Sequence, residues 1–316
     1  MAATTDFVAA QKENRRNTMV LLAGLTALAA GVGYLLGMFL EGSDSVVSPT
    51  GVAAAGLLAV VSVVWSLISL AVGDKMVLAM AGAKEIGKAD APQLYNVVEE
   101  ISIASGVPMP KVMVLDTEAL NAFATGNRVG NGTIAVTRGL LDTLSRDELQ
   151  GVVAHEMAHL ANLDTRYMVV VGVTVGLIAL VCDMLLRTMA WGGSGGGSGR
   201  SSSDKKGSGG GLLIVLLIVV AIFAPLAAKA VQMAVSRQRE YLADATSVQF
   251  TRNPNGLISA LSKLADKAAP FPGVSRATQH LFIVNPVQTF TAKSSALLAT
   301  HPDIEDRIAR LRNLGG

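Results

Sequence analysis

One cysteine in 316 residues, Cys182, excludes an intramolecular disulfide, so the fold does not depend on an oxidising compartment. Charge is also scarce, at 16% of residues, with a net charge of +2. The basic residues are scattered among only four tyrosines and two tryptophans, which excludes the basic, aromatic surface that a nucleic-acid partner needs. No internal repeat is evident. What is abundant is apolar: 51% of the chain is hydrophobic and the mean hydropathy is +0.46, too high for an ordinary soluble domain. Histidine is rare, with four in all, and two of these share a five-residue segment.

Four apolar stretches are predicted to lie in a membrane: residues 19–40, 52–72, 168–182 (extended by 183–191) and 212–228 (continuing past Lys229 to Val235). The first two are uncharged and long enough to span. The third has fifteen uncharged residues, and a re-entrant or interfacial hairpin is the other reading of the last two. Asp183 and Arg187, four apart, can pair on one helix face. Ala27-Leu28-Ala29 resembles a signal-peptide cleavage site, but the apolar run continues to Leu40 and reads as an uncleaved anchor. Lys12, Arg15 and Arg16 precede the first stretch, the loop after it carries Glu41 and Asp44 without a basic residue, and Lys75, Lys84 and Lys88 follow the second. This puts the amino terminus and residues 74–165 in the cytoplasm. Arg200, Lys205 and Lys206 argue mildly the other way, but the first helix usually dominates.

The expected organisation is a two-helix anchor over residues 1–73, the first part of a cytoplasmic domain over 74–165, a membrane hairpin over 166–235 and the rest of the domain over 236–316. Residues 192–211, rich in Gly and Ser, read as a flexible connector. Asp90 is expected to cap a helix with Pro92 in its first turn, ending near Gly106. Residues 110–115, 121–124 and 133–137 read as strands, the last two separated by turn-forming residues 126–132. Ser145-Arg146-Asp147-Glu148 is a capping box, followed by Leu149, Val152, Val153 and Leu160 at helical spacing. Further helices are predicted at 255–267 and 303–313.

The capped helix carries His155-Glu156-Met157-Ala158-His159. Two histidines four apart leave the same helix face, and imidazole nitrogen is a preferred zinc ligand. The glutamate beside the first can take a proton from water activated by that metal. The other reading is a buried helix with two hydrogen-bonded histidines. Against it, the flanking residues are small and apolar, so the three polar side chains need a partner that a metal supplies. If helical throughout, His159 to Met168 spans roughly 14 Å, which puts the metal near the membrane face. A hydrolytic zinc takes three protein ligands and keeps one position open. A hairpin returns the chain to the histidines after the fourth stretch, where Glu240 and Asp244 lie one turn apart. One can bind metal while the other orients a histidine, and Glu240 is read as the ligand.

His155-Glu156-x-x-His159 followed by Glu240-x-x-x-Asp244 resembles the M48 metallopeptidases, in particular their bacterial, membrane-embedded heat-shock branch. The resemblance covers nearly the whole chain. Asn121-Ala122-Phe123-Ala124-Thr125-Gly126 is similar to the family segment before the metal helix, and His301-Pro302 with Arg307 resembles its carboxy-terminal H-P-x-x-x-x-R motif. The long Gly/Ser loop departs from the family's compact turn. The resemblance implies a membrane protein of α+β class: about four transmembrane helices and a cytoplasmic, mainly helical zincin (gluzincin-like) domain with a small sheet. It implies one Zn2+ per chain, Asn121 on an edge strand that holds substrate backbone, His301 donating to the oxyanion and Arg307 positioning that site. It also implies an endopeptidase of the bacterial inner membrane that acts on misfolded or damaged membrane proteins or other unfolded polypeptides under stress. Three other readings remain open. A protease trimming prenylated carboxy termini resembles a larger chamber than four spans build. A membrane adaptor with a structural zinc needs a fourth ligand, such as His280, His301 or an acidic residue. A transporter would need more polar groups in its spans than Asp183 and Lys229.

Overall fold

Residues 7–18 contain neither proline nor glycine, so nothing stops the first apolar helix from extending toward the amino terminus. In the computed structural model α1 runs Phe7–Glu41, and α2 runs Pro49–Ala81, ending at Gly82 with φ +69°. Both are long and apolar enough to cross a membrane. Their side chains stay largely exposed, Leu57 at 64% and Leu67 at 61%, a surface suited to lipid. The described residues are 7–41, 47–171, 173–174, 237–266 and 302–314. Most of the third stretch, all of the fourth, the Gly/Ser loop, Cys182, His280 and His301 lie outside them.

The described residues fall into two compact units: 21–41 with 47–66, and 7–20 with 67–171, 237–266 and 302–314. The first is a helical hairpin closed by small residues. A Cβ on Gly33 would lie 2.6 Å from the Ala54 carbonyl oxygen, and one on Gly37 2.5 Å from that of Thr50. Gly33 and Gly37 thus form a close-contact G-x-x-x-G face. The Thr26 and Ser62 hydroxyls bond across the pair at 3.1 Å.

The second unit holds a four-stranded mixed sheet in the order β1-β2-β4-β3. The strands are β1 (Lys84–Glu85), β2 (Lys111–Leu115), β3 (Ala122–Thr125) and β4 (Thr133–Thr137). β3 and β4 form the antiparallel hairpin, whereas β2 pairs with β4 in parallel. α3 (Pro92–Ser105) buries Leu94, Val97, Val98 and Ile101 and ends at left-handed Gly106. Asp90 does not cap it. Ala91 holds that position without a side-chain bond, because the Asp90 carboxylate closes a turn by accepting the Gly87 N–H at 2.8 Å.

After the short α4 (Arg138–Thr143), α5 (Arg146–Asn162) carries the histidines through the core and is buried from Gly151 onward. Its capping box forms, and Glu148 also accepts bonds from Ser259 at 2.6 Å and Lys263 at 2.7 Å. Burial raises the Glu148 carboxyl, but Lys263, Ser259 and the cap outweigh it and bring its pKa down to about 2. The two bonded residues belong to α7 (Pro254–Asp266), which follows α6 (Arg237–Thr251). α5 and α7 meet at backbone distance: a Cβ on Gly151 would lie 2.6 Å from the Leu257 nitrogen. α8 (Ile304–Leu314) packs on α6 and α7.

The metal helix does not run straight on. Leu163 adopts φ +58°, left-handed for a non-glycine residue, and the chain turns there before a new helical stretch over 164–171.

Candidate active site

The spacing on α5 brings the two imidazoles together at right angles, with ring centroids 4.8 Å apart and Nε2 atoms 3.2 Å apart. α6 lies against this face of α5 and inserts Glu240, fully buried, with its oxygens 3.7 Å from each Nε2. The three ligand atoms all lie within 4.8 Å of one another. Ligands of a tetrahedral zinc at its usual bond length lie roughly 3.3 Å apart, so this donor set fits one ion with little movement.

The other nitrogen of each ring faces a carboxylate. His155 Nδ1 lies 3.0 Å from Asp244, one turn after Glu240, and His159 Nδ1 lies 2.9 Å from Asp164. With Nδ1–H donating to a carboxylate, each Nε2 carries the lone pair a metal needs. Arg307, completely buried on α8, grips Asp244 with two bonds of 2.9 and 2.7 Å, and its Nη1 lies 3.7 Å from Glu240. Burial favours a neutral Asp244, but the arginine's charge and bonds prevail and hold it at about pKa 2. Arg310 stacks on the Tyr241 ring at 3.8 Å and fixes the register of α8 on α6. Burial works against a charged His159 too. The Asp164 bond and the charges of Glu240 and Glu156 outweigh it and push the ring up to about 9.

Glu156 is buried on α5, and its carboxylate accepts the backbone N–H of Ala124 in β3. Burial pushes it above the ordinary carboxylate value, with His155 and His159 opposing and Glu240 adding to the rise. A buried carboxyl beside both imidazoles is placed for proton exchange with a neighbouring water. β3 is a sheet edge among the described residues. Asn121 lies just before it, its backbone bonded to Thr137 and its side chain accepting from the Ala122 N–H at 3.0 Å. The structure thus gathers His155, Glu156, His159, Glu240, Asp244 and Arg307 into one buried cluster and sets Asn121 at the head of the neighbouring strand. His301 lies outside the described residues.

Sequence reasoning missed Asp164, Ala124 and Asn14, whose amide bonds Asp164 at 2.7 Å. Asp164 is five residues past His159, and on an unbroken helix it would point roughly 140° away. Only the turn at Leu163 brings it back, and leucine gives no signal of that turn.

The family model of peptidase family M48 matches residues 88–314. The chain belongs to peptidase family M48. Among its M48 relatives, a protease HtpX homolog of Syntrophobacter fumaroxidans is 44% identical over 304 residues, covering 95% of this chain and 99% of that one. Protease HtpX homologs of Caldanaerobacter subterraneus subsp. tengcongensis and Thermoanaerobacter pseudethanolicus are 40% and 39% identical, with 96% of each chain covered. The crystal structure of Ste24p from S. mikatae shares the fold at a TM-score of 0.51 and 18% identity, covering 95% of this chain and 66% of that one. The M48 chain is therefore a membrane-bound metalloprotease, and its buried His155, His159 and Glu240 form a possible site for the metal its family implies.

Proposed function

We propose that this M48 peptidase is a zinc endopeptidase of the bacterial inner membrane. It would have four spans and a cytoplasmic active site, and would cut unfolded segments of misfolded or damaged membrane proteins. One observation carries the reading: two imidazoles and a carboxylate converge at ligand distance beside a buried glutamate tethered to an edge strand. Three converging ligands leave a position open, as hydrolysis requires and a closed structural site does not.

Zinc held by His155, His159 and Glu240 supplies a Lewis acid and lowers the pKa of water toward neutrality. Asp244 and Asp164 hold the two rings so that Nε2 faces the ion, and Arg307 acts through Asp244. Glu156 takes the proton of the attacking water and returns it to the leaving nitrogen. β3, headed by Asn121, is a sheet edge among the described residues, and an extended substrate adding there as a further strand would select unfolded polypeptide over folded protein. His301 is assigned the oxyanion bond by family likeness alone. The basic residues flanking the first two spans support the cytoplasmic side.

Cleavage of an unfolded model protein by the detergent-purified, zinc-loaded enzyme, beside Glu156→Gln, tests the reading. The variant keeps size and both histidines but removes the base. Wild type should cut and the variant should not, while both retain zinc. Zinc retention with no cleavage of any of several unfolded substrates by the wild type would turn the reading to an adaptor. Equal cutting would remove Glu156 from the mechanism.

A further inference from the structure

We propose that Asn14, on the helix before the first membrane stretch, is a positioning residue of the metal site that acts on His159 through Asp164. The proposal rests on the metal-site reading above. Residues 7–18 precede the apolar run, and the sequence presents them only as a basic flank. Yet Gln11, Asn14 and Thr18 share one face of α1, with Gln11 half-buried and Asn14 and Thr18 buried. Thr18 bonds back to the Asn14 carbonyl at 2.8 Å.

The Asn14 amide spends both hydrogens on the turn that follows α5. One goes to the Asn162 carbonyl at 3.1 Å, the other to Asp164 Oδ1 at 2.7 Å. The second Asp164 oxygen faces His159 Nδ1 at 2.9 Å. Asp164 therefore divides its two oxygens between the amide and the ring. Arg239 Nε pairs with Oδ1 at 3.7 Å, an ion pair longer than a hydrogen bond.

A neutral donor suits this position for a physical reason. It fixes the carboxylate without adding a second cation to the Arg239 ion pair, so negative charge remains to act on the imidazole. A lysine here would pair with Asp164 and weaken that pull, and an aspartate would repel it. The left-handed turn at Leu163 needs the same brace, because it is the bend that returns Asp164 to His159. Gln11 provides the internal control. It donates to the Ala161 carbonyl at 2.7 Å, joining the same two elements without touching Asp164.

The test uses the full-length detergent-solubilised protein and two readouts besides activity: zinc dissociation constant by chelator competition, and the visible spectrum of the Co2+-substituted protein, which reports ligand geometry. Asn14→Ala should weaken zinc about tenfold and shift the cobalt bands, as loss of an outer hydrogen bond does at other metal sites. Gln11→Ala should stay within about twofold with an unshifted spectrum. Asn14→Ala combined with Asp164→Asn should bind no more weakly than Asp164→Asn alone, because one residue works through the other. Asn14→Asp keeps the shape, turns the donor into an acceptor and should weaken zinc more than Asn14→Ala; it carries the test if the alanine variant does not fold. The proposal is overturned if Asn14→Ala binds like wild type, if Gln11→Ala loses as much, or if the double variant shows additive losses. Wild type that binds no zinc, or binds it unchanged after His155→Ala, overturns the underlying site reading instead.

Discussion

His155 and His159 stand one turn apart on the same helix, and each turns Nδ1 to a carboxylate, but the two carboxylates are held in opposite ways. On the His155 side, Asp244 is locked in a two-bond ion pair with Arg307, wholly out of water. On the His159 side, Asp164 is hydrogen-bonded by a neutral amide, and the arginine paired with it, Arg239, lies at a longer 3.7 Å. The first arrangement spends the carboxylate's charge on an arginine and gains rigidity. The second bonds the ring through a carboxylate with no hydrogen-bonded arginine, and that bond, with the charges of Glu240, Asp164 and Glu156, pushes His159 up to about 9 despite its burial. One side of the centre is built for fixed geometry, the other for donor strength.

The largest test of that contrast is Arg307→Met. It leaves Asp244 and Glu240 buried without their cation, and removal of one partner from a buried pair costs about 3–5 kcal/mol. A steep fall in thermal stability in detergent is expected, together with loss of metal. Arg307→Lys should not restore either, because one ammonium cannot replace a fork of two parallel bonds. A variant as stable as wild type would erase the distinction between the two sides.

Glu148 provides a loss that both histidines should feel alike, since it caps the helix that carries them. Its folded pKa of about 2 lies below the ordinary 4.5. The stabilisation is therefore complete above pH 4.5 and is lost as pH falls toward 2. Its size is on the order of 3 kcal/mol. Glu148→Gln should lower stability at pH 7 and flatten the acid limb of a denaturation series between those values. The ratio of effects on the two sides of the metal should not change.

Asp244→Asn and Asp164→Asn should each weaken zinc by roughly 10- to 100-fold in chelator competition. Asp244→Asn should also lower the melting temperature, because it strands Arg307, whereas Asp164→Asn should leave it nearly unchanged. Equal thermal losses would mean that orientation alone matters. The smallest effect is expected from Arg239→Gln. Its guanidinium lies over the Tyr167 ring at 4.7 Å and pairs with Asp164 only at 3.7 Å, longer than a hydrogen bond, so zinc affinity should move less than about threefold.

How far the sequence could be read depended on distance along the chain. The capping box, the histidine pair and the turn between Glu240 and Asp244 are local patterns, and each forms as expected. The two apolar helices were legible as elements, but not their reach into residues 7–18. The strands expected at 110–115, 121–124 and 133–137 form within one residue of those bounds, whereas the two-residue β1 and the parallel pairing of β2 with β4 were not legible, because register between distant strands leaves no local trace. Asp90 was misread as a cap because its competing bond to Gly87 is a matter of tertiary geometry. Nothing in residue order brings Arg307 to Asp244 or Asn14 to Asp164. Family likeness gave Arg307 a positioning role at the oxyanion site but not this partner, and Asn14 gave no signal at all.

The burial of Arg307 also has a consequence in time. The arginine lies 152 residues after His155. Ribosomes add about 5–20 residues per second, so it is made roughly 8–30 s after the histidine that its partner Asp244 orients. The brace on Asp244 cannot form before α8 has been synthesised and packed. The His155 side of the centre is therefore set last, when nearly the whole chain has left the site of synthesis.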